Sequence, residues 1–512
     1  MGSLPASATV RLMSATPVQN VLLVTLDQFR GDCLSIAGHP IVQTPHLDAL
    51  AGQGVRFANH YSQAAPCGPG RAALYTGTYQ MNNRVVANGT PLDPSFTNIA
   101  LEMAKAGYVP SLFGYTDVAF DPRLTSGPDD PRLDDYEGVL PGFTHVLDLS
   151  DNVSAWTHWL ETMGVSLGHL SGYDALVTEP ERPSDLSLSA FMTDELLDWV
   201  GQQINPWFAH ASYLRPHPPY RAAGRFAAMY EPDDLPAPLP TRHGVHPIVD
   251  FAQSFEHSAA PSDPAELAQL QAQYYGMISE VDHQIGRLIA GLKAAGMWEN
   301  TLIVITADHA DQMGDRGLIG KLGFYPESFH ILGIIRDPSR PEAKGTVVDH
   351  YSENIDIMPT ILDALGLAIP AQCDGMALTP FLAGDTPLAW RDAAHHEFDW
   401  RDTFLTAPAE PWPWDRRLAT NNLAVLHDRT GAYVHFGDGS SLCFDLVADP
   451  TWQAVQQDPT VVLSYAQRML TWRATHANRS LADFLSLGGG RGRWPEDVPW
   501  RAGPSPRGAT AG

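Results

Sequence analysis

The sequence predicts an α/β protein: a three-layer sandwich around a large, mostly parallel sheet, with a smaller C-terminal antiparallel sheet plus helix. Residues 21–26 and the segment "TLIVIT" consist largely of apolar residues, which is typical of central parallel strands buried on both faces. Segments with helical periodicity alternate with such strands along the chain. This alternation favours a sheet that is covered by helices on both sides.

The helix after the first strand is indicated by "TPHLDALAGQG", in which Pro45 suits a first helical turn and Gly54 suits the C-terminal end. A long helix over residues 266–296 is predicted because its apolar residues recur at helical spacing. The other predicted elements are strands at 109–116 and 206–217, a strand in "FHILGIIRD", and a loop leading into a helix at 353–366.

Four segments are predicted along the chain. Residues 1–18 form a flexible tail, and residues 19–415 form the main α/β domain, ending in a loop at 390–415 that is rich in Asp, Trp and Pro. Residues 416–487 form a small α+β subdomain, because short apolar runs broken by turn residues precede a helical pattern. Residues 488–512 begin with a run of glycines and are predicted to be an extended tail.

Composition limits the classes of function. The chain has 512 residues and a formal net charge of −26, which disfavours binding to nucleic acid or to anionic membrane surfaces. Four widely spaced cysteines show no CxxC spacing, so neither a zinc module nor a disulfide framework is indicated. The first 20 residues contain no continuous apolar run and no window is long enough to cross a bilayer, so a cytoplasmic location is expected.

Polar residues follow both central strands. Asp27 and Gln28 come directly after the first strand, and Asp308 and His309 follow "TLIVIT". The carboxyl ends of parallel strands share one edge of a sheet, where ligands of such folds bind. Two carboxylates, an amide oxygen and an imidazole in one place indicate a site for a single divalent cation.

The stretch "CGPGRAALYTG" frames Cys67 unusually. Pro69 suits a first helical turn, so Cys67 is predicted at a helix N-terminus, where anions are favoured and where Arg71 adds a fixed positive charge. Two interpretations based on the residues alone are a thiolate of lowered pKa and a buried cysteine that acts as a small hydrophobe. The second explains the flanking prolines and Arg71 poorly.

The segment Cys67-Gly68-Pro69-Gly70-Arg71 resembles the Cys-x-Pro-x-Arg signature of the sulfatase family, within the alkaline phosphatase superfamily. Collinear segments extend the resemblance over nearly the whole chain, among them "NVLLVTLDQFRGD", "TPHLDALAGQGVRFANHY", "TLIVITADHADQMGDRGLIGK" and "FDLVADP". The segments "NNR", "GYT", "RPHPPY" and "HHEFDWRD" are most similar to the branch of phosphonate monoester hydrolases and related arylsulfatases. Residues 19–415 would then be an alkaline phosphatase-like catalytic domain.

The resemblance implies that a formylglycine-generating enzyme converts Cys67 to formylglycine (3-oxoalanine). The aldehyde hydrates, one hydroxyl attacks sulfur or phosphorus and expels the alcohol, and collapse of the second hydroxyl releases the product by C–O cleavage. The implied activity is metal-dependent hydrolysis of sulfate esters or phosphonate monoesters, with phosphodiesters as further substrates. The alternatives are an arylsulfatase proper with little phosphonate activity, a non-catalytic relative, and a thiolate enzyme with unmodified Cys67.

The resemblance also implies a ligand set for the metal. Asp27, Gln28, Asp308 and His309 would bind it, with residue 67 as the fifth ligand. Many sulfatases use two further hard oxygen ligands where this chain has Gln28 and His309. One fewer carboxylate and one imidazole favour Mn²⁺ over Ca²⁺, with Zn²⁺ as another possibility.

Further roles follow from matching positions. Lys321 would bind the oxygens of the anion, His217 would protonate the leaving group or bind an oxygen, and Arg71 would stabilise the nucleophile. Asn88 and Tyr115 would line the substrate pocket, together with Asp117, which stands where the branch has a threonine. The expected partners are a small anionic ester and, as in that branch, further copies of the chain in a tetramer.

Overall fold

The computed structural model describes residues 18–133, 136–150, 153–401 and 419–478. Residues 1–17 of the predicted N-terminal tail and the predicted tail at 488–512 lie outside these ranges. Residues 402–415 of the predicted loop also lie outside them.

The strands are β1 (Asn20–Leu26), β2 (Val55–Tyr61), β3 (Ala64–Ala65), β4 (Pro110–Gly114), β5 (Thr144–Asp148), β6 (Phe208–Tyr213), β7 (Thr301–Thr306), β8 (Gly333–Arg336), β9 (Thr346–Glu353), β10 (Ala394–Asp399), β11 (Asn422–His427), β12 (Gly431–Phe436) and β13 (Ser441–Asp445). The α-helices are α1 (Pro45–Ala51), α2 (Cys67–Thr76), α3 (Gln80–Asn83), α4 (Ile99–Lys105), α5 (Ser154–Thr162), α6 (Leu188–Gly201), α7 (Pro247–Ala252), α8 (Pro264–Ala294), α9 (Ile357–Ala364), α10 (Thr379–Leu382) and α11 (Pro459–Thr475).

The larger sheet confirms the predicted fold class. Within the described ranges it has eight strands in the order β5-β4-β6-β1-β7-β8-β2-β9. All neighbouring strands run parallel except β8, which is antiparallel to both β7 and β2. Strand β1 therefore lies in the middle, hydrogen-bonded to β6 on one side and to β7 on the other.

Helices cover both faces of this sheet, as predicted. Leu22, Val24 and Leu26 of β1 point into one hydrophobic core, which α1, α6 and α8 complete. Val21 and Leu23 point into a second core, completed by α2, α4, α9 and α10. This alternation on a strand that is apolar throughout explains why the sequence of β1 shows no polar face.

The first predicted helix ends earlier than the pattern suggests. Helix α1 stops at Ala51, three residues before Gly54. Gly54 instead meets a neighbouring strand: an added Cβ would lie 2.4 Å from the carbonyl oxygen of Ile335. Its role is a close approach of two backbones.

One segment predicted as loop is a strand. Residues 394–399 form β10, so the loop prediction for 390–415 is wrong over these six residues. The polar residues of this segment gave no strand pattern in the sequence, because their partners lie far away in the chain. Gln63 donates to Glu397 at 2.9 Å, and the ring of His395 stacks on Trp472 at 4.3 Å.

The smaller sheet has the order β13-β12-β11-β10-β3 among the described residues. Strands β11, β12 and β13 form the predicted antiparallel unit, and α11 packs against it. Strand β10 joins this unit antiparallel to β11 and pairs in parallel with β3, which lies immediately before Cys67. The smaller sheet thus supports the start of α2. In the described part of the chain, no helix has the length and apolar character needed to cross a membrane.

Candidate active site

The carboxyl ends of β1 and β7 lie side by side and carry the two predicted polar pairs. The register pairs Thr25 with Thr306, so Asp27 and Asp308 leave adjacent strands at one edge of the sheet. The side chains of Asp27, Cys67, Asp308 and His309 meet there, with one potential ligand atom of each within 4.8 Å of the others. All four residues are buried.

This cluster suits a metal cation. Asp27 Oδ1 is buried and accepts no hydrogen bond from the described residues, although an unpaired carboxylate oxygen is costly to bury. His309 Nδ1 donates to the carbonyl oxygen of Ala310 at 3.0 Å, which leaves the Nε2 lone pair facing the cluster. Nε2 lies 3.8 Å from both Asp27 Oδ1 and Asp308 Oδ2. Two carboxylates and one imidazole match the donors of a divalent ion.

Arg71 fixes the two carboxylates. Its guanidinium is completely buried and binds Asp27 Oδ2 and Asp308 Oδ2, each at 2.9 Å. It also donates to Ser212 Oγ at 2.6 Å and to the carbonyl oxygen of Tyr115 at 3.1 Å. Every arm of the guanidinium is therefore used, and the side chain holds the geometry of the site.

The two carboxylates differ electrostatically. Burial raises the pKa of Asp27, and the neighbouring Asp308 raises it further against the opposing effect of Arg71. Burial also acts to raise the pKa of Asp308, but His309 and Arg71 outweigh it, so that pKa lies below its usual range. A cation beside the pair would relieve the repulsion between the two acids.

Gln28 and Lys321 lie on one side of the cluster. Lys321 Nζ donates to Gln28 Oε1 at 3.1 Å and to Cys67 Sγ at 2.9 Å. Burial acts to lower the pKa of Lys321, but Cys67 and Asp27 raise it by more, so the ammonium stays charged. The structure thus brings both predicted residues to the site, and the role of Gln28 as a metal ligand stays a prediction.

Cys67 is the first residue of α2, as predicted. The close fit of this helix to the sheet depends on Gly70, because an added Cβ would lie 2.4 Å from the carbonyl oxygen of Asp308. Asn354 Nδ2 donates to the carbonyl oxygen of Gly70 at 3.0 Å and secures the same turn.

The Cys67 side chain points into the cluster. Its Sγ lies 3.2 Å from His309 Nε2. Burial and Asp27 raise the pKa of the Cys67 thiol well above its usual range, despite the nearby Lys321. This disfavours the interpretation of Cys67 as a reactive thiolate.

A cavity of about 110 Å³ opens above Cys67. Four further predicted residues line it: Asn88, Tyr115, Asp117 and His217. Asn88 Oδ1 accepts the backbone N–H of Gly68 at 2.9 Å, and the Tyr115 hydroxyl donates to Asp27 Oδ2 at 2.5 Å. Both side chains are therefore held by the residues around the nucleophile position.

His217 enters the cavity as a neutral ring. Its Nδ1 donates to the carbonyl oxygen of Pro218 at 2.8 Å, so Nε2 is the atom left for a ligand. Burial and the charge of Lys321 lower the pKa of His217 to about 3. An anion bound nearby would favour the protonated ring and raise this pKa.

Asp117 is the least satisfied side chain of the cavity. It is 2% exposed, and neither carboxylate oxygen has a hydrogen-bond partner among the described residues. Burial raises the pKa of this carboxyl to about 8, although Arg71 opposes the shift. The backbone at Asp117 adopts φ +52°, a left-handed conformation that is uncommon outside glycine, asparagine and aspartate.

Several site residues were not predicted. Asp311 binds the Gln28 amide and accepts the Tyr220 hydroxyl at 2.7 Å, so it orients Gln28. The signal for Asp311 was a second acid shortly after β7, in "ADHAD". Tyr136, Glu137 and Tyr173 also line the cavity, but they come from a turn and a 3-10 helix, which no periodic pattern marks in the sequence.

Known proteins are similar to this chain in sequence and in fold. A family model described as Sulfatase matches residues 19–367. The multifunctional alkaline phosphatase superfamily protein PehA of Trinickia caryophylli is 37% identical over 504 residues, which cover 91% of this chain and 98% of PehA. An arylsulfatase of Clostridium perfringens (strain 13 / Type A) is 29% identical over 406 residues, covering 74% of this chain and 81% of its own.

Among solved structures, the phosphonate monoester hydrolase of Agrobacterium radiobacter is similar with a TM-score of 0.85 and 40% identity. The similarity covers 93% of this chain and 100% of that one. The chain therefore belongs to the sulfatase family of the alkaline phosphatase superfamily and is a hydrolase that acts on ester bonds.

Proposed function

We propose that the protein is a metal-dependent hydrolase of sulfate esters and phosphonate monoesters, with phosphodiesters as further substrates, and that formylglycine derived from Cys67 is its nucleophile. The position of Cys67 carries this proposal. Its Sγ lies 2.9 Å from Lys321 Nζ and 3.2 Å from His309 Nε2, at the base of the cavity and within the carboxylate cluster. A group at this point can meet an anionic ester while charged side chains hold the anion.

The metal ion and the formylglycine would supply two kinds of chemistry. A divalent cation held by Asp27, Asp308, His309 and residue 67 would act as a Lewis acid, with the Gln28 amide oxygen close by. Hydrated formylglycine offers one hydroxyl for attack and a second whose loss of a proton allows release. The imidazole and the amide in the predicted ligand set support Mn²⁺ as the metal.

The chain's own residues orient the reaction. Arg71 keeps both carboxylates facing residue 67 and contributes positive charge beside it. Lys321, whose Nζ lies 2.9 Å from Cys67 Sγ, binds the oxygens of the arriving anion. Because these groups are already held by the protein, little reorganisation is needed when charge develops on the ester.

His217 acts on the leaving alcohol. With Nδ1 bound to Pro218, its Nε2 is the atom available to the substrate. The free protein keeps the ring neutral, and the negative charge of a bound ester raises its pKa so that Nε2 takes up a proton. That proton passes to the leaving oxygen as its bond to sulfur or phosphorus breaks.

Sulfate and phosphonate esters are proposed together because the chemistry of the site treats them alike. Both esters carry one negative charge and a tetrahedral centre. Relatives at 37% and 29% identity are a multifunctional superfamily protein and an arylsulfatase, and a similar structure is a phosphonate monoester hydrolase.

The proposal is tested by coexpression with a formylglycine-generating enzyme, reconstitution with single metals, and comparison of kcat/KM on an aryl sulfate and an aryl phosphonate monoester. We expect turnover of both substrates, with the highest activity in the Mn²⁺-loaded protein. Activity on the sulfate alone would identify an arylsulfatase proper. Full activity with Ca²⁺ alone would overturn the metal assignment, and turnover of neither ester by modified, metal-loaded protein would overturn the function.

A further inference from the structure

Gln28 can bind a cation through only one end of its amide group. The oxygen Oε1 is an acceptor, whereas Nε2 carries two hydrogens and repels a metal ion. A carboxylate at this position could present either of its oxygens, so the use of glutamine makes the orientation of the end group decisive. A metal bound by Asp27, Asp308 and His309 gains a further ligand only if the protein keeps Nε2 turned away from it.

The backbone of Gln28 is fixed independently of its amide. Its φ is +68°, a left-handed conformation that is uncommon outside glycine. The Gln28 N–H donates to Asp308 Oδ1 at 3.2 Å, and its carbonyl oxygen accepts the Tyr274 hydroxyl at 2.8 Å. The side chain therefore starts from a fixed backbone, and the choice that remains is which end of the amide faces the cluster.

Two charged groups bind the two ends of the Gln28 amide. Nε2 donates to Asp311 Oδ2, and Oε1 accepts Lys321 Nζ at 3.1 Å. A carboxylate only accepts and an ammonium only donates, so both groups favour the same orientation of the amide. Lys321 Nζ also lies 2.9 Å from Cys67 Sγ, which places Oε1 on the side of the nucleophile position.

Asp311 is itself held by several donors. Its Oδ1 accepts the backbone N–H groups of Met313 at 2.8 Å and Gly320 at 2.9 Å, and its Oδ2 accepts the Tyr220 hydroxyl at 2.7 Å. Together with the amide, four donors thus surround a carboxylate that is completely buried. The bond to Gly320 also fixes the residue before Lys321, so one carboxylate places both a predicted metal ligand and the lysine that would bind the anion.

We propose that Asp311 determines the affinity of the site for its cation by selecting Oε1 as the atom of Gln28 that faces the metal. Without an acceptor at the position of Oδ2, the amide turns and presents Nε2 to the cation. Asp311 is thus a positioning residue, which acts through Gln28. This inference rests on the metal dependence in the proposed function and names the residue that makes glutamine usable as a ligand there.

Two substitutions reverse the bond without changing the size of either side chain. In Asp311→Asn, the N–H groups of Met313 and Gly320 hold the remaining oxygen at the position of Oδ1, so the new NH2 group faces Gln28 Nε2. Two donors then oppose each other, and the amide must turn. Adding Gln28→Glu removes the conflict, because the new NH2 group can donate to a carboxylate. The double variant also keeps the net charge of the wild type.

The test measures Mn²⁺ binding to the full-length, formylglycine-containing protein after removal of its metal, with free Mn²⁺ followed by electron paramagnetic resonance. We expect Asp311→Asn to raise the Kd about 10–100-fold when residue 28 is glutamine. In the Gln28→Glu background, the same substitution should not raise the Kd, because it separates two carboxylates that would otherwise repel each other. A general loss of charge or of rigidity would instead raise the Kd in both backgrounds.

Asp337→Asn is the matched control. Asp337 is also a buried carboxylate that follows a strand, β8, but it binds Ser339 and Arg340. Its replacement should leave the Kd for Mn²⁺ unchanged. Gln28→Ala removes the ligand oxygen altogether and should raise the Kd by about the same factor as Asp311→Asn.

Each alternative outcome is distinct. An unchanged Kd in Asp311→Asn, equal weakening in both backgrounds, or a wild-type Kd in Gln28→Ala would overturn the inference. If Asp311→Asn does not fold, as judged by circular dichroism, the double variant decides alone. It should bind Mn²⁺ within about tenfold of the wild type, and its failure to fold or to bind would also overturn the inference. A wild type that binds no Mn²⁺ would instead refute the metal assignment of the proposed function.

Discussion

Two parts of the site bury polar side chains in opposite ways. At the inner wall, formed by Asp27, Arg71, Tyr115 and Asp308, nearly every polar atom is bound by another protein group, and Asp27 Oδ1 is the exception. Asp117 also lines the cavity, but neither of its oxygens has a hydrogen-bond partner among the described residues. The inner wall is thus held in place by the protein itself, whereas Asp117 is buried at a cost.

Replacement of Cys67, the proposed nucleophile position, should have the largest effect of all the substitutions considered. Cys67→Ala eliminates the group that attacks the ester, so kcat should fall by roughly 10⁴-fold or more. The Cys67→Ser variant should accept the sulfuryl or phosphonyl group at most once, because serine has no second hydroxyl that could release it. Turnover of aryl sulfate and a single-turnover burst assay measure both effects.

Cys443→Ala is the matched control for this prediction. Cys443 is also a buried cysteine, but it lies on β13 of the smaller sheet. Its replacement should leave kcat unchanged. Wild-type turnover in Cys67→Ala would contradict the role of residue 67.

The inner wall should also respond strongly in stability. Arg71→Ala leaves Asp27 and Asp308 buried without their shared partner, which is expected to lower the free energy of unfolding by about 3–5 kcal/mol. Chemical denaturation measures the change. Arg123→Ala removes an exposed arginine from two aspartates and should change the free energy of unfolding far less, because solvent screens exposed ion pairs. Equal effects of the two substitutions would contradict the proposed rigidity of the inner wall.

A substitution in the close contact between α2 and the sheet should have a smaller effect on stability. In Gly70→Ala, the new Cβ meets the carbonyl oxygen of Asp308 at 2.4 Å, so the helix must shift. We expect a loss of about 1–3 kcal/mol in the free energy of unfolding, together with reduced kcat because residue 67 moves with the helix. Gly201→Ala, at the end of α6 with open space around its Cβ, should be neutral. A neutral Gly70→Ala would show that the contact does not position the nucleophile.

Replacement of Asp117 should change stability in the opposite direction. The folded pKa of Asp117 is about 8 and its ordinary value is 3.8, so the folded state binds more protons between these values. The contribution of Asp117 to stability is complete below the lower value and is lost as the pH rises through the higher one. Asp117→Asn removes this loss. The free energy of unfolding of the variant should therefore exceed that of the wild type by about 1 kcal/mol at pH above 8.

Thermal unfolding across pH measures this last effect. The difference in Tm between Asp117→Asn and the wild type should grow from pH about 4 to about 8. Asp121→Asn, which lacks a buried unpaired carboxyl, should show no such growth. A destabilised Asp117→Asn at high pH would mean that the protein itself satisfies Asp117.

The fold was predictable where burial leaves a simple pattern. Strands β1 and β7 are apolar on both faces, and α8 has a regular apolar stripe. Strand β10 was not predictable, because its histidines and acids are bound by groups far away in the chain. A local pattern cannot report such long-range partners.

The same distinction holds for the site. Asp27, Asp308 and Cys67 were predictable because each follows or begins an element that the sequence reveals. Tyr136 reaches the cavity from a turn and Tyr173 from a 3-10 helix, and only the three-dimensional structure brings them there. Cavity residues outside the regular strands and α-helices are therefore harder to predict than residues at the ends of those elements.

The central claim is that residue 67 of the active enzyme is formylglycine. Mass spectrometry of the tryptic peptide spanning residues 57–71, from active protein made in its native host, tests it most directly. The peptide should have lost one sulfur and two hydrogens and gained one oxygen, and the modified fraction should scale with specific activity. Fully active protein whose peptide contains only cysteine would contradict the claim.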